Sequence, residues 1–295
     1  MNKLLSVFAS TLLVVSVIVP GGRVAAEDAS NALSLVVMDP LAAPLSCPCV
    51  EGYAQRDYEV LAEYLQSTLG RPVVLTFAES LAVALQKSAR PANLVIGKQS
   101  VVQADADELK LKLKPISRLT DQNGSTDQYG MIVVNREDPA QSVDDLAGYT
   151  IYFGPAEAAE KHSAAIACLS GAGIDPGKDQ RKISPACSDG ACEVIDLGPQ
   201  SKTAAVISSY AQPLLEGCGT IKKGDLRVVA KTDPVPFITL FAADTLSAED
   251  VELLQASLAA AALQPKVVEA LESLVGFLPV ETDVVVEKKN GAVNP

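Results

Sequence analysis

The chain predicts an α/β fold in two lobes, two open and mostly parallel sheets joined by two crossover segments. Three observations carry this. Apolar runs between residues 33 and 97 follow a β-α-β-α-β order. A second α/β unit sits between two extended segments near residues 128–136 and 226–240. Beyond it the chain returns to helices that have no sheet of their own.

Leu33 to Met38 is a short apolar strand, ended by Asp39-Pro40. Tyr58, Leu61, Ala62, Leu65 and Leu69 then recur at helical spacing, and Gly70 follows as a stop. Val73 to Phe77 and Leu94 to Gly97 read as strands, with a helix around Leu81 to Leu85 between them. Past the polar stretch Asp121 to Thr126, with its Asn123-Gly124 turn, Met131 to Val134 is the next strand. Ser142-Val143-Asp144-Asp145 has capping-box spacing and precedes a strand at Ile151 to Phe153. A helix from about Glu157 to Leu169 closes at Gly171 and Gly173. Ala204 to Ser208 is a strand leading into a short helix through Leu215, and Leu226 to Ala230 is another strand.

Thr232 to Pro236 is a Pro-broken crossover. Ser247-Ala248-Glu249-Asp250 is a second capping box, opening a helix with Val251, Leu254 and Leu258 on one face. The final helices most simply pack back on the first lobe. That lobe is then discontinuous, residues 27–134 and 232–295, with 135–231 as the second lobe. Two segments crossing between lobes make a hinge that closes around a ligand.

The first residues read as an export signal. Lys3 precedes a 16-residue apolar run, Leu4 to Val19, which Pro20-Gly21-Gly22 breaks. Val24-Ala25-Ala26 supplies small residues for cleavage near Ala26, so a periplasmic location is expected. The run is at or below the short limit for spanning a bilayer. Removing Lys3 and Arg23 leaves 22 basic against 36 acidic side chains, lowering the net charge from −12 to −14. Such a chain repels nucleic acid, and an anion site on it needs local positive charge. Aromatic residues are 4% of the chain and Trp is absent, which argues against a sugar site built on stacked rings.

Six cysteines in an exported chain suggest disulfides, with 15 possible complete pairings. Cys187 and Cys192 flank Ser188-Asp189-Gly190-Ala191, which suits a small disulfide loop around a turn. Cys47 and Cys49, separated only by Pro48, are poorly placed to bridge each other. Each is expected to pair elsewhere; the alternative is two thiolates holding a soft ion such as Cu(I). Gly-x-Ser-x-Gly, His-Glu-x-x-His and Walker patterns are all absent, so an enzyme is not expected, and neither is a cofactor or a metal.

Several stretches resemble the phosphate/phosphite/phosphonate branch of the substrate-binding proteins of ABC transporters, which has a type II periplasmic-binding-protein fold. They are Tyr58 to Val73 (YEVLAEYLQSTLGRPV), Tyr129 to Val134, Ser142 to Gly154 (SVDDLAGYTIYFG), Leu169 to Pro176 (LSGAGIDP) and Arg227 to Pro236 (RVVAKTDPVP). The resemblance implies a monomer that binds a small polar or anionic solute, a phosphorus oxyanion among the candidates, and delivers it to an ABC permease. In that family the helix after the strand at Ile151 to Phe153 opens with a Ser/Thr-Ser-Gly cluster that holds the oxyanion. Here the place reads Gly154-Pro155-Ala156-Glu157-Ala158-Ala159-Glu160, with two carboxylates and no hydroxyl. Lys202-Thr203 likewise replaces the family's acidic residue before a later strand. A helix N-terminus binds anions through bare N–H groups, but glutamates in its first turn satisfy the dipole and repel a dianion.

Ligands in open α/β sheets sit outside the C-terminal strand ends. That rule selects Asp39, Lys98, Ser100, Lys161, His162, Ser208, Ser209, Tyr210 and Thr232 as candidate ligand-binding residues. Lys98 is either a counter-charge for an anion or a solvated loop lysine. His162, the single histidine, is either a cleft donor or a half-buried residue with a backbone partner. Ser208 to Tyr210 bring hydroxyls and N–H groups to a strand end, or simply cap a helix. The alternative function is an accessory protein for a periplasmic oxidoreductase on the same fold, and a metal-binding chaperone using Cys47 and Cys49 is third.

Overall fold

A computed structural model describes residues 31–47, 50, 54–88 and 90–280. The export signal, Pro48 and Cys49 lie outside the described residues.

Strand β1 (Leu33–Met38) is buried along its whole length, Ser34 included, as a strand covered on both faces must be. It pairs in parallel with β2 (Val73–Phe77) and β3 (Leu94–Lys98). Helix α1 (Tyr58–Leu69) starts at Asp57, whose side chain accepts from the Glu59 N–H. It stops at Gly70, which takes the left-handed φ of 65°. Helices α2 (Leu81–Lys87) and α3 (Gln99–Leu109) follow β2 and β3.

After β4 (Leu113–Leu119) come the short β5 (Asp127–Gln128), then β6 (Gly130–Asn135) and β7 (Thr150–Phe153). The second lobe continues with α4 (Ser163–Gly171), β8 (Arg181–Ile183), α5 (Cys187–Leu197), β9 (Thr203–Ser208), α6 (Ala211–Gly217) and β10 (Leu226–Lys231). The return path is β11 (Val235–Pro236), β12 (Ile238–Ala243), α7 (Ala248–Ala260), α8 (Pro265–Ala270) and β13 (Phe277–Pro279).

Two sheets result, ordered β13-β4-β12-β3-β1-β2 and β10-β6-β9-β7-β8, with a two-stranded ribbon β11-β5 between the sequences that feed them. Leu254, Leu258 and Val267 of the last helices share one core cluster with Leu35, Leu61 and Leu65. The second sheet has its own cores, with Ile132, Ile151, Phe153 and Val206 in one of them.

The two open sheets are mostly parallel in strand direction, as expected, with exceptions: β12 pairs antiparallel with both β3 and β4, and β6 with β9 and β10; other expectations are corrected. A strand entering from the other lobe arrives at the opposite end of the sheet and so runs against its neighbours. The extended segments near 128–136 and 226–240 do not simply bridge the lobes. β6 and β10 belong to the second sheet and pair with each other, leaving the two-residue strands β5 and β11 as the paired crossing. β12 is a central, buried strand that the Pro-rich approach through Pro234 and Pro236 hides in the sequence. The expected Cys187–Cys192 bridge does not form. Both lie on α5, where a five-residue step turns side chains to different faces, and both thiols are free. Cys168 and Cys218 are free as well, so Cys47 pairs with none of these four.

Candidate functional site

Between the lobes lies a cavity of about 690 Å³, lined by residues from both. Such a volume is ordinary for a small-molecule site. Met38 and Lys98 reach it from the C-terminal ends of β1 and β3. Pro155, Ala158 and Lys161 come from the loop after β7, and Tyr210 from the turn after β9. The site is thus made where strands end and their backbone groups are left for loops or ligands.

Beside the cavity three polar side chains meet across the lobes. Lys98 Nζ lies 2.6 Å from Glu160 Oε1, and the Ser208 hydroxyl donates to the same oxygen at 2.7 Å. Glu160 is fully buried and Lys98 nearly so. Burial alone raises the Glu160 carboxyl, but the Lys98 ammonium and the Ser208 hydroxyl outweigh it and hold the group below its ordinary value. Burial likewise opposes the charge on Lys98, and Tyr210 and Glu160 beside it keep its pKa above that of an ordinary lysine.

A carboxyl lowered by folding contributes stability that is complete above the unfolded value of about 4.3, and loses it as pH falls through the lower folded value. Thermal melts should therefore show the wild type losing more stability than Glu160→Gln between about pH 5 and about pH 3. Parallel curves for the two chains would remove Glu160 from the acid response.

Lys161 differs from Lys98. Its side chain is largely buried and lines the cavity, and its ammonium reaches the Pro185 carbonyl at 3.4 Å. Among the described residues no carboxylate lies within ion-pair distance of it. Its stem folds over the end of β7 at Gly154. A Cβ there would fall 2.6 Å from Lys161 Cβ and 2.7 Å from Cε, so only glycine lets the lysine lie flat.

The other sequence candidates divide. Asp39 is not a cleft group. It is fully buried, and its carboxylate accepts from Arg56 Nη1 at 2.8 Å, Tyr58 Oη at 2.6 Å and the Leu41 N–H at 2.9 Å. Ser100 spans the lobes, donating to the Glu157 carbonyl at 2.7 Å and accepting from the Ala159 N–H at 3.2 Å. His162 Nδ1 meets the Gly154 carbonyl at 2.8 Å, and its ring leans on Phe153. That backbone partner places it under the loop, outside the lining of the cavity. Ser209 borders a second, hinge-side cavity of about 780 Å³. Tyr210 lines both cavities and stacks on Phe237, with Lys98 Nζ 5.2 Å from its ring centre. Thr232 is a hinge fastener, accepting from the Gly130 N–H and donating to the Asp233 carbonyl.

Sequence reasoning passed over Arg56, which joins Asp39, Tyr58 and the Phe237 ring in one buried cluster. A signal was present: a cation directly before a helix start opposes the helix dipole unless something else holds it. The expected helix from Glu157 begins only at Ser163, and the preceding turns carry Glu160 into the lobe boundary. Among the described residues no group of three His, Cys, Asp or Glu side chains is arranged to hold a metal ion.

Two α/β lobes, a paired crossing ribbon and an interlobe cavity at the strand ends define a two-lobed solute-binding protein. The chain belongs to the family described as the periplasmic substrate-binding protein of phosphonate ABC transporters, whose model matches residues 52–284. Members of that family are transport subunits, not enzymes. Among solved structures, XAC2383 from Xanthomonas citri bound to ATP is similar at a TM-score of 0.64 and 17% identity, over 85% of this chain and 92% of that one. A binding-protein component of an ABC phosphonate transporter from Pseudomonas aeruginosa gives 0.61 and 15%, over 84% and 81%. PhnD1 from Prochlorococcus marinus in complex with methylphosphonate gives 0.60 and 11%, over 85% and 93%. At these identities the likeness is one of fold. No curated protein matches the sequence.

Proposed function

We propose that this protein is exported, with cleavage near Ala26, and works as a monomer that carries a small organic anion to an ABC permease. The anionic head meets Lys161 and an apolar body fills the interlobe cavity. The observation that supports this is the largely buried Lys161, which lines the cavity with no carboxylate paired to its ammonium among the described residues. A buried charge without a counter-ion is costly, and a ligand anion removes that cost. Met38, Leu41, Val101 and Leu214 supply apolar wall, while Glu79 and Glu157 stay exposed at the rim.

Isothermal titration against short alkylphosphonates, alkylsulfonates and carboxylates tests the reading. One anion class should bind the wild type, and Lys161→Met should weaken it about 10- to 100-fold, the value of a hydrogen bond to a charged group. Equal affinity in the variant removes Lys161 from the site. A wild type that binds nothing in the panel, yet co-purifies with a periplasmic oxidoreductase, favours the accessory role instead. The filled seat between Lys98 and Ser208 is the observation on that side.

A further inference from the structure

Lys98 stands at the end of β3 in one lobe and Ser208 at the end of β9 in the other. Their donor atoms are 3.4 Å apart and converge on one point, the position of Glu160 Oε1. An ammonium and a hydroxyl converging at strand ends form an anion seat. Here the chain's own carboxylate fills it. Glu160 arrives on turns that also fasten to Ser100, through the Glu157 carbonyl and the Ala159 N–H, so the whole 157–160 segment is held against the first lobe. Glu160 Oε2 is buried without a hydrogen-bond partner. A carboxylate held there with one oxygen unsatisfied is placed by the contacts of Oε1, not by a full set of its own donors.

We infer that Glu160 is a built-in surrogate for a ligand's oxyanion, closing the lobes over Lys98 without solute and barring small anions from the Lys98–Ser208 seat. A solute's anionic group is thereby confined to Lys161, a consequence that rests on the proposed solute site. The occupancy of the seat by Glu160 does not. Glu160 is then the specificity-determining residue of the cleft, and the identity of this one side chain decides whether a free oxyanion is admitted.

Truncation with chemical rescue tests this without knowledge of the solute. Glu160→Ala leaves an ammonium and a hydroxyl buried around a space the size of a carboxylate. Its melting temperature should fall by roughly 10 °C, as for other broken buried ion pairs. Sodium formate should restore at least half of that loss with a saturable, millimolar dependence, and sodium chloride at equal ionic strength should not. The wild type and the Lys98→Met/Glu160→Ala double variant should show no saturable response. A folded Glu160→Ala that ignores formate, or a double variant that responds as strongly, overturns the inference.

If Glu160→Ala does not fold, Glu160→Gln keeps the shape and removes the charge. By small-angle scattering the solute-free wild type should then be more compact than Glu160→Gln, and equal radii of gyration overturn the latch. Formate needs only the Lys98–Ser208 seat. A protein that passes this test and binds no organic anion would lose the proposed solute site and keep the surrogate.

Discussion

Asp39→Ala should cost about 3–5 kcal/mol of stability, the loss typical when one member of a buried ion pair is removed. The carboxylate takes three hydrogen bonds, from Arg56, Tyr58 and the Leu41 N–H, and none of its surface is exposed. Without it the Arg56 guanidinium stays buried beside Phe237, still donating from Nε to the Leu271 carbonyl but with its counter-charge gone. The Tyr58 hydroxyl loses its acceptor too. Burial and the neighbouring carboxylate already push that phenol well above its usual pKa, as expected for a group whose charged form the site rejects. Urea denaturation should show a lower midpoint at an unchanged slope. A loss under about 1 kcal/mol would mean that water enters and solvates Arg56. Replacing Asp39 and Arg56 together with apolar residues should recover part of the loss.

The second large effect is expected at Gly130, the first residue of β6. Its N–H donates to the Thr232 hydroxyl at 2.8 Å and its carbonyl accepts from the Thr232 N–H at 2.9 Å, so both sides of the hinge are tied at this residue. A Cβ here would overlap the Glu160 carbonyl and press Thr232 Cγ2 at 3.0 Å. The obstacle is backbone, which no rotamer change relieves. Gly130→Ala should cost about 1–3 kcal/mol and displace Glu160 from Lys98, so it should also lose the extra acid sensitivity of the wild type. Gly171→Ala is the control. It ends α4, meets nothing within 4 Å and has no positive φ, so it should be neutral or slightly stabilising. If the two variants unfold alike, the contact between Gly130 and the Glu160 loop is not tight in solution.

Much of the fold was readable along the chain, because local patterns carry it. Leu33 to Met38 is a buried run, Tyr58 to Leu69 has a stop at Gly70, and Ser247 caps the helix that follows it. The site was readable in part. Lys98, Ser100, Lys161, Ser208 and Tyr210 sit at the lobe boundary because strand ends put them there. Asp39 obeys the same strand-end rule yet turns inward to Arg56, 17 positions away, and no local pattern distinguishes those two outcomes.

What the sequence determined by itself was much of the succession of strands and helices, which depends on spacing over a few residues, while the class of protein came from the stretches that resemble a known family. What only the tertiary structure decided was pairing. β12 enters the first sheet antiparallel between β3 and β4, Cys187 and Cys192 stay apart on one helix, and Glu160 reaches Lys98, 62 residues away. The physical reason is that a buried charge takes whichever counter-charge the packed lobes bring within a few ångströms. That neighbour is set by how the sheets and loops assemble, not by the residues beside it in the chain.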